Sequence, residues 1–153
     1  MAFRERLADW SKGDSLSHFW RMFAWRERAK SKLLQDVLTL FLNRSARKHG
    51  GYIGRGAVIQ GTPILPHGLH GVYISRYAVV GEDCWIYQNV TIGEVDRKAP
   101  HIGSHCLIGA GAVIVGNITI GDHVKIGAGA VVSSDIPDGC TVVAQPPRIL
   151  QRE

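Results

Sequence analysis

Nowhere in this chain do apolar residues run unbroken for the roughly 18 positions that a membrane-crossing helix needs. The opening MAFRERLADW holds no apolar segment ending in a small-residue cleavage site, so no secretory signal is legible. Cysteine is scarce: Cys84, Cys106 and Cys140 are odd in number and make no CxxC, which argues against a disulfide framework or a zinc knuckle. A reducing, cytoplasmic setting is the expectation. Aromatic residues are only 8% of the chain, yet Phe19, Trp20, Phe23 and Trp25 crowd together beside Arg21, Arg26 and Arg28. Negative charge is thin at the start. Residues 1–50 carry 11 Lys/Arg against 5 Asp/Glu, whereas residues 51–153 carry 7 against 8.

What is present falls into two regions with different periods. Residues 1–50 read as a helical segment in which Leu33, Leu34, Val37, Leu38 and Phe41 mark one apolar stripe, ended by Gly50-Gly51. The aromatic group suits helix or subunit packing, or an interfacial membrane anchor given its arginines. A basic arm could equally present a solvated face.

From Ile53 onward the period is six. One column reads Ile53, Ile59, Leu65, Ile74, Val80, Ile86, Ile92, Ile102, Ile108, Ile114, Ile120, Ile126 and Val132, and all 13 slots are Ile, Leu or Val. Four residues after column members come small or aliphatic groups, among them Ala57, Ala78, Cys84, Val90, Cys106, Ala112, Val124 and Ala130. Neither an α-helix nor a flat strand holds a six-residue repeat. A chain that turns a corner every six residues does, and three such sides make one coil of a triangular prism. Stacked coils form a parallel β-helix of hexapeptide repeats. Cys84 and Cys106 then fall in inward slots as small core hydrophobes.

Two intervals break the rhythm. Leu65 to Ile74 spans nine residues and contains His67 and His70; Ile92 to Ile102 spans ten and reads GEVDRKAPH. Because Ile74 and Ile92 are one turn of 18 apart, both excursions are expected on similar sides of the prism, as a site wall. The histidines are candidates for a catalytic base, for metal ligands, or for polar residues bonded to backbone. A zinc site would need three convergent ligands. His105 and His123, 18 residues apart, with His101 nearby, are the candidates, but their corner positions beside Ser104 and Asp122 favour exposure instead.

From about residue 52 to 150 the sequence resembles the hexapeptide-repeat acyltransferases, within them serine acetyltransferases and their polysaccharide-modifying relatives. The resemblance rests on LPHGLHGVYIS (65–75), AVVGEDCWIYQNVTIG (78–93), the run from Pro100 to Gly139, and the tail TVVAQPPRIL. It implies a left-handed parallel β-helix with an N-terminal α-helical segment, divided as residues 1–50 and 51–153. It also implies a homotrimer with acetyl-CoA as co-substrate between subunits, and a catalytic histidine at His67. His70 and Asp96 are the expected acceptor contacts. Gly109, Ala110, Gly111, Gly127 and Ala128 are expected along the CoA, with Lys125 and Arg148 toward its phosphates. No metal and no nucleic acid are expected, and the basic arm is a candidate for peripheral membrane contact.

Departures from the pattern shape the acceptor. Serine acetyltransferases carry an aspartate where this chain has Pro66, and a second histidine where it has Ala99. The usual orienting carboxylate maps near Ala46, leaving Asp96 or Glu94 as substitutes. The favoured acceptor is therefore a sugar hydroxyl of a surface polysaccharide or its precursor, with serine as the alternative. A zinc hydratase and a non-catalytic trimeric scaffold are the rivals from other classes.

Overall fold

The computed structural model describes residues 16–146. Two helices, α1 (Ser17–Arg28) and α2 (Lys32–Arg47), precede 13 short strands, β1 (Tyr52–Ile53) to β13 (Thr141–Val142). Every strand pairing is parallel and every partner lies one coil away, so the strands stack into three sheets. The first sheet runs β1-β3-β6-β9-β12, the second β2-β4-β7-β10 and the third β5-β8-β11-β13. This is the three-sided prism that the six-residue period requires.

Register puts the column in the core. Ile53, Ile74, Ile92, Ile114 and Val132 stack in the first sheet; Ile59, Val80, Ile102 and Ile120 in the second; Ile86, Ile108 and Ile126 in the third. Ile59 and Leu65 are half-buried at the open upper end, and the other column members are buried. Two further members, Ile136 and Val142, lie beyond Val132. They escape the repeat because Val132 to Ile136 spans four residues, a corner two residues short.

The corners are of two kinds. After the second and third sheets, the residue three beyond the column adopts positive φ: Asp83, Asn89, His105, His123, Gly111, Gly129 and Gly139. After the first sheet Ser75 turns the chain instead, its buried hydroxyl accepting from the Tyr77 N–H at 3.2 Å. Polar side chains lock the corner between second and third sheets. Asp122 accepts the Ser104 N–H at 2.6 Å, and Asp138 the Asp122 N–H at 2.9 Å. There Gly81 lies against the next coil, where a Cβ would sit 2.6 Å from the Gly103 carbonyl carbon.

The arm corrects one expectation. Leu38, Leu42 and Ala46 form the buried face of α2, while Leu33 is 74% exposed and Phe41 59%. The stripe Leu33, Leu34, Val37, Leu38 and Phe41 straddles two faces, because the helix is apolar on more than one side. At 100° per residue, Leu33, Val37, Leu40, Phe41, Arg44 and Arg47 share an outward sector of roughly 120°. The aromatic group mostly packs inward. Phe19 and Phe23 are buried, Trp20 meets both edge-on, and Arg26 lies 4.4 Å over the Phe23 ring. Trp25 alone of the four is exposed.

Candidate active site

The nine-residue interval enters the first sheet, between the Ile64 bridge to Trp85 and β3 (Tyr73–Ile74). The ten-residue interval leaves that sheet, between β6 (Thr91–Gly93) and β7 (His101–Ile102). The two excursions therefore sit at opposite ends of one face, not on similar sides as the spacing suggests. One turn separates Ile74 from Ile92, but the first insertion precedes its column member and the second follows it. The second folds on itself as a hairpin: Val95 and Lys98 exchange backbone hydrogen bonds of 2.8 and 3.0 Å around Asp96 and Arg97, both at positive φ.

Each site residue can then be placed. His67 is exposed, its ring 6.0 Å from that of Tyr87. Leu69 and Val72 anchor the bulge from within, both fully buried. His70 is exposed on the same bulge, and its carbonyl accepts the Asn89 N–H at 2.9 Å. Directly below, the Gln88 carbonyl accepts from Gly111 at 3.0 Å and the Ala110 carbonyl from Gly129 at 2.9 Å. His67, His70, Tyr87, Gln88, Ala110, Gly111, Gly127 and Ala128 thus line one edge of the prism, coil under coil, with Gly109 buried just behind Ala110. The third and first sheets meet there. From His70 to Ala128 is three coil steps of ~4.8 Å, about 14 Å in all.

The lower part of this edge is bare. Gly111 (φ 68°) and Gly129 (φ 67°) face open space, and Ala110 and Ala128 carry only methyls. An open depression of about 410 Å³ continues downward, lined by Gly129, Val131, Val143, Ala144 and Gln145. Gln88 Oε1 is buried without a hydrogen-bond partner among the described residues. An extended ligand with amide groups fits an edge of small residues and bare backbone.

Other candidates lie apart. Asp96 tips the hairpin at the far end of the first sheet, so one protomer does not bring it to His67. The carboxylate of Glu94 accepts a close hydrogen bond from the Ser75 hydroxyl at that same far corner. Lys125 is exposed on the face of the third sheet, between Leu107 and Thr141. Arg148 lies outside the described residues. His105 and His123 stack at 4.8 Å at an exposed corner, while His101 projects from the second sheet. Among the described residues, no group of three His, Cys, Asp or Glu side chains converges on a point that could hold a metal.

Packing accounts for two of the three thiols, while Cys140 is exposed. Cys84 and Cys106 are fully buried in adjacent coils and donate to the Gly103 and Gly121 carbonyls at 3.2 and 3.1 Å. The Cys106 sulfur and burial together push the Cys84 thiol above its ordinary range. Sequence reasoning missed Tyr87 and Gln88, which the period marks only as corner residues. The alignment of His70, Asn89, Gly111 and Gly129 along one edge would have exposed them.

Comparison with known proteins agrees with this fold. The bacterial transferase hexapeptide pattern (six repeats) matches residues 99–134. A serine acetyltransferase of Helicobacter pylori is 35% identical over 137 residues, covering 87% of this chain and 73% of that protein. The chain belongs to the hexapeptide-repeat transferase family. Among other relatives, the serine acetyltransferase of Synechococcus elongatus is 42% identical over 67% of the chain and 41% of its own length. The chain thus spans about 40% of the first curated relatives it matches. Of solved structures, the Neisseria gonorrhoeae serine acetyltransferase superposes with TM-score 0.74 at 33% identity, over 84% of this chain and 53% of that one. A soybean serine acetyltransferase complexed with serine gives 0.69 at 33% identity, over 91% and 57%. The prism is accordingly a left-handed β-helix.

Proposed function

We propose that this hexapeptide-repeat transferase is an acetyl-CoA-dependent O-acetyltransferase in which His67 is the general base. The observation that carries the reading is the single edge on which an exposed imidazole stands above a run of small residues and bare backbone. Acetyl-CoA would lie along Gly109, Ala110, Gly111, Gly127 and Ala128, with Lys125 and Arg148 toward its phosphates. In that pose the thioester reaches upward to His67.

The chemistry then needs little more. A hydroxyl is a weak nucleophile near neutral pH, and the thioester is already activated. The imidazole of His67 takes the hydroxyl proton as the oxygen attacks the acetyl carbonyl carbon. The C–S bond breaks, and the proton passes from the imidazolium to the leaving thiolate. General-base help of this kind is typically worth ~10²–10⁴ in rate. No enzyme-bound acyl group is required, which matches the commitment of Cys84 and Cys106 to the core.

For the acceptor, the relatives favour serine over the sugar hydroxyl preferred from the sequence. Each relative and each solved structure quoted above is a serine acetyltransferase. The serine reading is therefore placed first. Pro66 and Ala99, at positions where serine acetyltransferases carry aspartate and histidine, support a sugar hydroxyl as the second reading. Thiol release from acetyl-CoA with serine and with sugar acceptors separates the two. Saturable turnover of serine supports the first; turnover of sugars alone supports the second; release with neither overturns the enzyme reading.

The assembly we infer is a homotrimer, in which the Asp96 hairpin of one protomer could reach the His67 edge of the next. The cytoplasm is the setting we propose, with peripheral contact to an anionic membrane surface. The outward sector of α2, apolar over its first turns and cationic over its last, supports that contact. Among the described residues no helix is long and apolar enough to cross a membrane.

A further inference from the structure

The end of α2 and the bulge are joined more closely than a tether requires. The helix stops where Gly50 turns to φ 66° and the Gly51 N–H returns to the Ala46 carbonyl at 3.0 Å. One residue earlier, the His49 carbonyl accepts the Gly71 N–H at 3.0 Å, so the helix end and the bulge share a backbone bond. Gly51 is packed so tightly that a Cβ there would collide with the Leu69 carbonyl, and Leu69 is fully buried. Displacing the arm would therefore displace the bulge.

Side chains repeat this linkage. The His49 ring meets the His70 ring edge to face, with centroids 5.0 Å apart and planes at 84°. His49 is half-buried, and His70, three residues after His67, is exposed. An aromatic edge against an aromatic face has a preferred geometry, worth ~0.5–1.5 kcal/mol beyond the area it covers. An exposed imidazole held this way loses rotamers that it would otherwise sample.

We propose that His49 is a positioning residue for the acceptor end of the site: it fixes the His70 ring beside His67, and the helical arm thereby takes part in selecting the acceptor. The inference rests on the acetyltransferase reading above, with His70 as an acceptor contact. His49 touches no reacting atom and acts through His70. The same contact gives the arm a role that a membrane or subunit contact alone does not.

The test is steady-state kinetics of the full chain with the acceptor that turns over. His49→Ala should raise the acceptor KM by about tenfold, leave the acetyl-CoA KM unchanged, and move kcat by no more than about threefold. His49→Phe keeps an aromatic edge and should restore most of the lost affinity. His70→Ala should give a similar rise, and the double variant little more, since both remove one interaction. Additive effects, or an acetyl-CoA KM that moves with the acceptor KM, overturn the proposal. A reading independent of turnover is the NMR signal of the His70 ring, which the neighbouring ring current should shift on His49→Ala. An unmoved His70 signal overturns the proposal even in an active enzyme. A shifted signal in a protein that acetylates no hydroxyl places the failure in the activity assigned above.

Discussion

At the scale of single residues, chemistry and packing divide the histidines and cysteines cleanly. His67 and His70 are exposed on a bulge whose interior is pinned by Leu69 and Val72. His105 and His123 occupy positive-φ corners where glycine stands in the coil below, at Gly139. The interrupted repeat marked His67 and His70 together, and the family resemblance chose His67. The sequence could not reveal His49, which the helix pattern marks only as the residue before the Gly50-Gly51 stop. Replacing the proposed base is the direct trial. His67→Ala should lower kcat by at least ~10²-fold while leaving CoA affinity nearly unchanged. Calorimetric CoA titration beside the thiol-release assay checks both; activity within threefold of wild type sinks the assignment.

At the scale of elements, the repeating corner explains more than the strands do. Strands of two or three residues have little cohesion alone, so stability comes from column stacking and from corners that fit coil to coil. Gly81→Ala should destabilise by about 1–3 kcal/mol, because a Cβ there has only backbone to displace. Denaturant melts should show a lower midpoint with an unchanged slope. The edge below His67 makes an opposite kind of prediction. Ala128 is exposed, so Ala128→Trp should fold normally yet raise the acetyl-CoA KM by about tenfold or more, with the acceptor KM unaffected. Normal donor kinetics in that variant would move CoA off this edge. The column was legible because one residue in six must be aliphatic. The two excursions were legible only as interruptions, since spacing does not say whether an insertion enters or leaves a sheet.

At the scale of the whole molecule, the arm and the proposed assembly remain the open ground for experiment. Light scattering should give three times the 16.8 kDa chain mass. A stable monomer that still turns over would refute a site shared between subunits. Co-sedimentation with vesicles should be seen with anionic lipid, fall with added salt, and vanish in Leu40→Glu/Phe41→Glu. The sequence by itself determined the prism, its three faces and its inward residues, because a six-residue period admits few backbone solutions. Tertiary structure alone decided which corner each insertion occupies, which face of α2 is buried, and that His49 meets His70. Those outcomes depend on contacts between segments distant along the chain, for which a local repeat carries no signal.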